Sequence, residues 1–160
     1  MRSWSLGICG SPRSRSRRVT TPRRPSHRTG WQNAAARKLD LSAAAFNDAE
    51  GRIAKLLLSE GKNVKALKES TVPGVRTADS EVNGVPTEFK SLIPGAAANT
   101  VKNQLNSAKG QARHAIIDAR ASGLSESAAQ EGLGKFLRNN PPGRMDFIRI
   151  VGDGYDITYP

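Results

Sequence analysis

Three acids and one lysine are spaced so that local structure can gather them: Glu50, Asp79, Glu88 and Lys90. The chemistry such a group offers is the grip of a hard cation by carboxylate oxygens. The grouping rests on Glu81-Val82-Asn83-Gly84-Val85-Pro86, where Asn-Gly between valines predicts a two-residue type I′ hairpin turn. A loop of that length fixes the register. Val82 then faces Val85, Glu81 faces Pro86, Ser80 faces Thr87, and Asp79 lies opposite Glu88. That last pair falls at a non-hydrogen-bonded position, where Cβ atoms stand about 4.5 to 5.5 Å apart and two bare carboxylates repel. Side chains alternate, so Thr77, Asp79, Glu81, Glu88 and Lys90 share one surface. Ala78, Val82, Val85 and Phe89 share the other, the expected core side.

The third acid requires a helix. Residues 40–61 have the period of an amphipathic helix, with Ser42 as N-cap, a stripe of Phe46, Ile53, Leu56 and Leu57, and Gly61 as the C′ stop. Glu50 follows Phe46 by four residues and precedes Ile53 by three, which sets it on the stripe that faces the sheet. A carboxylate buried there is costly without a partner or a metal. A bland reading competes at each position: Glu50 paired with Lys55, and Asp79 with Glu88 in a surface ion lattice with Lys90 or Arg76. Asp48 and Glu60 read as solvated charges.

Length and composition frame these groups. A chain of 160 residues suffices for one domain with a core, and 5% aromatic content fits an ordinary small α/β module. No apolar run reaches the length of a membrane span. The net charge of +11 is uneven, because residues 1–30 hold eight arginines and no acid, leaving 17 basic against 14 acidic residues elsewhere. That first stretch, rich in Arg, Ser and Pro, lacks periodicity and is expected to be a disordered basic tail; 31–160 is expected to be a single domain. The tail is either a nucleic-acid grip, an upstream linker or a misplaced start, and it has no apolar stretch of the kind a secretory signal carries. The single cysteine, Cys9, rules out an intrachain disulfide or a cysteine metal cluster.

The remaining elements follow from periodicity and punctuation. Residues 63–68 read as a short strand and 75–92 as the hairpin. Asn99 or Thr100 caps a helix running to about Arg113, and 114–120 is a buried strand. Ser125 caps a helix over 126–139. Residues 145–151 and 155–159 are two further strands around Gly152-Asp153-Gly154. The order is αβββαβαββ.

A helix bearing an acid, a strand bearing Asp, a hairpin partner bearing Glu-x-Lys, then a helix and a further strand resemble the core of PD-(D/E)XK nucleases. Residues 74–79, 84–92 and 110–120 are similar to the C-terminal toxin domains of contact-dependent growth inhibition (CdiA-type) and related polymorphic toxins, many of which cleave tRNA. Ala78-Asp79 stands where the family name has Pro-Asp. The resemblance covers about residues 40–160 and implies an α/β fold: an αβββαβ core with a mixed central sheet flanked by helices, plus a C-terminal helix and β-hairpin. It implies a metal-dependent endoribonuclease toxin acting on tRNA, with a divalent cofactor, Mg²⁺ first and Mn²⁺ or Zn²⁺ as alternatives. On it, Asp79 and Glu88 are direct metal ligands, the Phe89 carbonyl is a possible third, and Glu50 binds directly or through water. Lys90 orients the attacking water and stabilises developing charge.

Lys109, Gln111, Arg113 and His114 become candidates for substrate contact, against surface or structural placement. Asp118 and Arg120 form a second tier that reaches the site or pairs together. The same resemblance implies delivery as part of a larger secreted protein, action in the target-cell cytoplasm and a cognate immunity protein. The competing functions are a DNA endonuclease of the same fold and a non-enzymatic nucleic-acid-binding module gripping phosphates through the arginine tail.

Overall fold

Asn83 and Gly84 both take positive φ, 50° and 86°, as the two central residues of a type I′ turn must. The strands leaving that turn, β3 (Ser80–Val82) and β4 (Val85–Ser91), pair in the register read from the sequence: Ser80 with Thr87, Glu81 with Pro86, Val82 with Val85. The Asn83 side chain adds a second anchor by accepting the backbone N–H of Asn63 at 2.8 Å. The hairpin is thereby tied to the strand before it.

This computed structural model describes residues 38–160; the expectation of a basic disordered tail over 1–30, and Cys9 with it, lies outside the described residues. The other elements are β1 (Leu39–Asp40), α1 (Asp48–Ser59), β2 (Val64–Ala66), α2 (Ala98–Ala108), β5 (His114–Asp118), α3 (Glu126–Arg138), β6 (Phe147–Val151) and β7 (Asp156–Tyr159). The seven strands of the described residues form one mixed sheet in the order β1-β2-β3-β4-β5-β6-β7. β2, β3 and β4 run as an antiparallel meander, β4, β5 and β6 are parallel, and β7 returns antiparallel. Two parallel crossovers, through α2 and α3, produce that switch.

The helices cover both faces. Ile53, Ala54 and Leu57 of α1 pack with Val64, Phe89 and Ile116 on one side. On the other, Val101, Leu105 and Ala108 of α2 and Ala129, Leu133 and Phe136 of α3 pack on Ala115, Ile117, Ile148 and Ile150. Helices α2 and α3 approach so closely that a Cβ on Gly132 would lie 2.4 Å from the Ala98 carbonyl oxygen and 2.7 Å from the Val101 Cβ. Only glycine fits there.

Sequence expectations at two helices are corrected. The first helix starts at Asp48, not near Asp40, and its cap is Asn47, not Ser42. Asn47 Oδ1 accepts from the Ala49 and Glu50 N–H groups, while the Ser42 N–H bonds Asp40 Oδ1 in a short turn that ends β1. Helix α2 starts at Ala98 with Ala97, not Asn99 or Thr100, at its cap, Thr100 Oγ1 accepting the Ala97 N–H at 3.1 Å. It ends at Ala108, five residues before Arg113, where the Gln111 and Ala112 N–H groups both close onto the Ala108 carbonyl. Gly61, at φ 83°, does stop α1 as expected.

Candidate active site

The ladder between β3 and β4 stops at Ser80, so the next inward-facing N–H on β4, that of Phe89, has no strand carbonyl to meet. The side chain of Asp79 takes its place: Oδ2 accepts the Phe89 N–H at 3.1 Å. In return, Glu88 Oε2 accepts the Asp79 N–H at 3.3 Å. The two acids expected to face each other are therefore interlocked across the hairpin. Lys90 closes the group, its Nζ bonded to Glu88 Oε1.

Burial differs sharply within the trio. Glu88 is 0% exposed, whereas the Lys90 side chain keeps 21% of its surface. The sequence led us to expect an open acidic surface opposite a core side; instead the face carrying Glu88 also carries Leu92 and Ile117 and lies beneath α2. Burial pushes the Glu88 carboxyl up to about 7; the hydrogen bond from Lys90 works against this and the charge on Asp79 adds to it. A group poised near neutrality beside a second acid and an ammonium can hold a cation or exchange a proton.

Glu50 does not join them. Its carboxylate is engaged at the start of α1, with Oε2 accepting the Asn47 N–H at 3.0 Å and Oε1 the Asn47 Nδ2 at 2.6 Å, a capping box that satisfies the helix end. Helix α1 packs on the Phe89 side of the sheet, and Glu88, the preceding residue in the strand, points to the opposite side. Among the described residues no set of three or more His, Cys, Asp or Glu is placed to hold one metal ion. The three-acid convergence expected from the sequence thus reduces to a pair of acids with a lysine.

The residues considered for substrate contact divide likewise. Lys109 is held by Asn106 at 2.9 Å and Asn140 at 2.6 Å, above the Phe136 ring. Arg113 forms a bidentate pair with Asp146 and donates to the Gly143 carbonyl, fastening the loop before β6. His114 packs against Phe147, with ring centroids 5.6 Å apart and planes tilted by 39°, on the α1 face and away from Glu88. Gln111 alone of the four lines a polar cleft, with Arg76 and Thr77 of the segment that leads into Asp79. Asp118 and Arg120 take the plainer of their two alternatives: Arg120 Nε and Nη2 meet the Asp118 carboxylate at 2.8 and 2.9 Å. Arg76, which the sequence offered only as an ion-pair partner, makes no ion pair among the described residues.

The described residues thus form a mixed sheet with an acid pair and a lysine at its central hairpin. Residues 76–155 match the family model of the contact-dependent growth inhibition CdiA C-terminal domain, a span that is half of the 160-residue chain. The chain belongs to that family and is a CdiA-type C-terminal toxin domain. Among solved structures it is similar to a CdiA-CT/CdiI toxin and immunity complex from Burkholderia pseudomallei, at 17% identity and a TM-score of 0.49, covering 76% of this chain and 98% of that one. No curated protein matches the sequence. No helix among the described residues is long and apolar enough to cross a membrane.

Proposed function

We propose that this toxin domain is a metal-dependent endonuclease of the PD-(D/E)XK kind that hydrolyses phosphodiester bonds in RNA, with tRNA as its substrate. The observation that carries the reading is the interlocked trio: Glu88 accepts the Asp79 N–H, Asp79 accepts the N–H of the neighbouring Phe89, and Lys90 is bonded to Glu88. The donor chemistry suits Mg²⁺, which takes one or two carboxylates, keeps several waters and needs no dedicated cage. Burial that raises the Glu88 carboxyl also makes a bound cation favourable, since the cation offsets the cost of its ionised form. Asp79 and Glu88 would hold the ion, with the Phe89 carbonyl as a further oxygen. When bound, a divalent ion polarises the phosphoryl oxygens and lowers the pKa of a coordinated water.

The chain's own residues do the rest. Lys90, partly exposed beside the acids, directs its ammonium at the oxygens where charge develops as water attacks phosphorus and the P–O bond to the leaving nucleoside breaks. Glu50 takes no part, being used as a helix cap. As a toxin of this family the domain would act in the cytoplasm of the cell that receives it and would be neutralised there by a cognate immunity protein.

Purified protein incubated with total tRNA tests the reading. Cleavage is expected with Mg²⁺, Mn²⁺ or Zn²⁺, is stopped by EDTA, and disappears in Glu88→Ala and Lys90→Ala. Intact tRNA under all three metals, with a circular dichroism spectrum showing native fold, overturns it. Nicking of plasmid with tRNA left whole would assign the same site to DNA. Binding without cleavage that vanishes when residues 1–30 are deleted would make the protein a binding module.

A further inference from the structure

We propose that Arg76 is a substrate-binding residue that holds a backbone phosphate of the RNA strand next to the one being cleaved, with Gln111 as its neighbour in the same cleft. The proposal rests on the nuclease reading above and names where that site grips its substrate. The cleft has a volume of about 250 Å³ and is lined by Glu69, Ser70, Val75, Arg76, Thr77 and Gln111. It is built from two pieces of chain. One is the segment that runs through Thr77, whose Oγ1 accepts the Ser70 N–H at 3.2 Å, and ends in Asp79. The other is the turn after α2, where Gln111 N–H bonds the Ala108 carbonyl at 2.8 Å.

The guanidinium of Arg76 lies across Gly110. A Cβ placed on Gly110 would be 3.9 Å from both Cδ and Nη1 of Arg76. Gly110 lies just past the C-terminal end of α2, the negative end of the helix dipole, which attracts a cation without neutralising it. Arg113, Arg120 and Arg149 are each matched to carboxylates. Arg76 is not, among the described residues, although Glu69 borders the same cleft. Its donors therefore remain available in a fork that suits phosphate oxygens. Three residues of extended chain span at most about 10 Å, which keeps Arg76 within reach of the acid pair. A polyanion seated on Asp79 and Glu88 alone would meet two like charges; a fixed cation one step along its backbone offsets that repulsion.

Binding of labelled total tRNA to the non-cleaving Lys90→Ala protein, followed by fluorescence anisotropy over a salt series, tests this. Adding Arg76→Ala is expected to weaken binding about 10-fold and to reduce the slope of log affinity against log salt by about one, as loss of one phosphate contact does. Arg76→Lys is expected to keep the slope and recover part of the affinity, since its point charge lacks the fork. Lys62→Ala removes an exposed cation that lines the groove on the α1 face and is expected to leave both quantities unchanged. Thermal melts confirm that each variant is folded. Equal affinity and slope in Arg76→Ala and Lys62→Ala overturn the inference. With Lys90 restored, Arg76→Ala should raise KM more than it lowers kcat; a wild type that cuts while this variant cuts identically sinks the phosphate contact and spares the nuclease. Loss of slope in a protein that never cuts retains the contact and removes the nuclease.

Discussion

Glu88 is the most deeply buried carboxyl among the described residues, and its titration gives the most direct solution signature of the site. Its carboxyl belongs at 4.5 when free and is pushed up to about 7 here, chiefly by burial. A carboxyl whose folded value lies above its unfolded value is one the native state prefers protonated. The stability that preference contributes is complete below pH 4.5 and is lost as pH rises through about 7. Metal-free protein should therefore melt at falling temperature across that window, with a total effect of up to about 3 kcal/mol. Glu88→Gln should flatten the decline, and Mg²⁺ should oppose it by holding the ionised form. Melting curves in EDTA from pH 4 to 8 measure all three. Asp118 and Asp146 cannot imitate the effect. Their arginine partners hold both below the ordinary 3.8, so the stability they lend is lost only in stronger acid.

At the scale of the element, Asn47 separates the structural use of Glu50 from a catalytic one. Asn47→Ala removes the cap from α1 and should cost about 1 kcal/mol of stability. If Glu50 serves only that cap, tRNA cleavage below the melting temperature should persist; a loss of cleavage beyond the loss of folded protein would return Glu50 to the site. The sequence revealed the hairpin, its register, helix α3 and the end of α1 because each depends on residues near one another: Asn83-Gly84 for the turn, Ser125 for α3, Gly61 for the end of α1. What it did not reveal depends on distant chain. The period of α1 puts Glu50 on the stripe of Ile53 and Leu57, but nothing in a period says which face of the sheet the helix will cover. Arg113 looked free to meet phosphate because its partner, Asp146, lies 33 residues on. Strand β1 is two residues held by parallel pairing to β2, too short to leave a pattern. Glu88 looked open to solvent because alternation along a strand cannot show that α2 covers it.

For the whole molecule, the contact between α2 and α3 fixes the layer above the site, and two glycines of one helix test it. Gly132→Ala would drive a methyl to 2.4 Å from the Ala98 carbonyl, so the helices must separate, at a cost of about 1–3 kcal/mol or more. Gly134, whose added Cβ would meet only the Arg138 side-chain end at 3.3 Å, should gain about 0.5–1 kcal/mol from the same change. Opposite shifts in melting temperature are the expected outcome. A different consequence comes from the arrangement of the strands, whose spatial succession repeats their succession along the chain. Every described strand pairs with the strand immediately before or after it in the chain, so no pairing reaches past an intervening strand, although the parallel pairs each close over a helix. With no strand pairing across another, dilution from urea should restore the native circular dichroism spectrum faster than for an all-β sandwich of equal length.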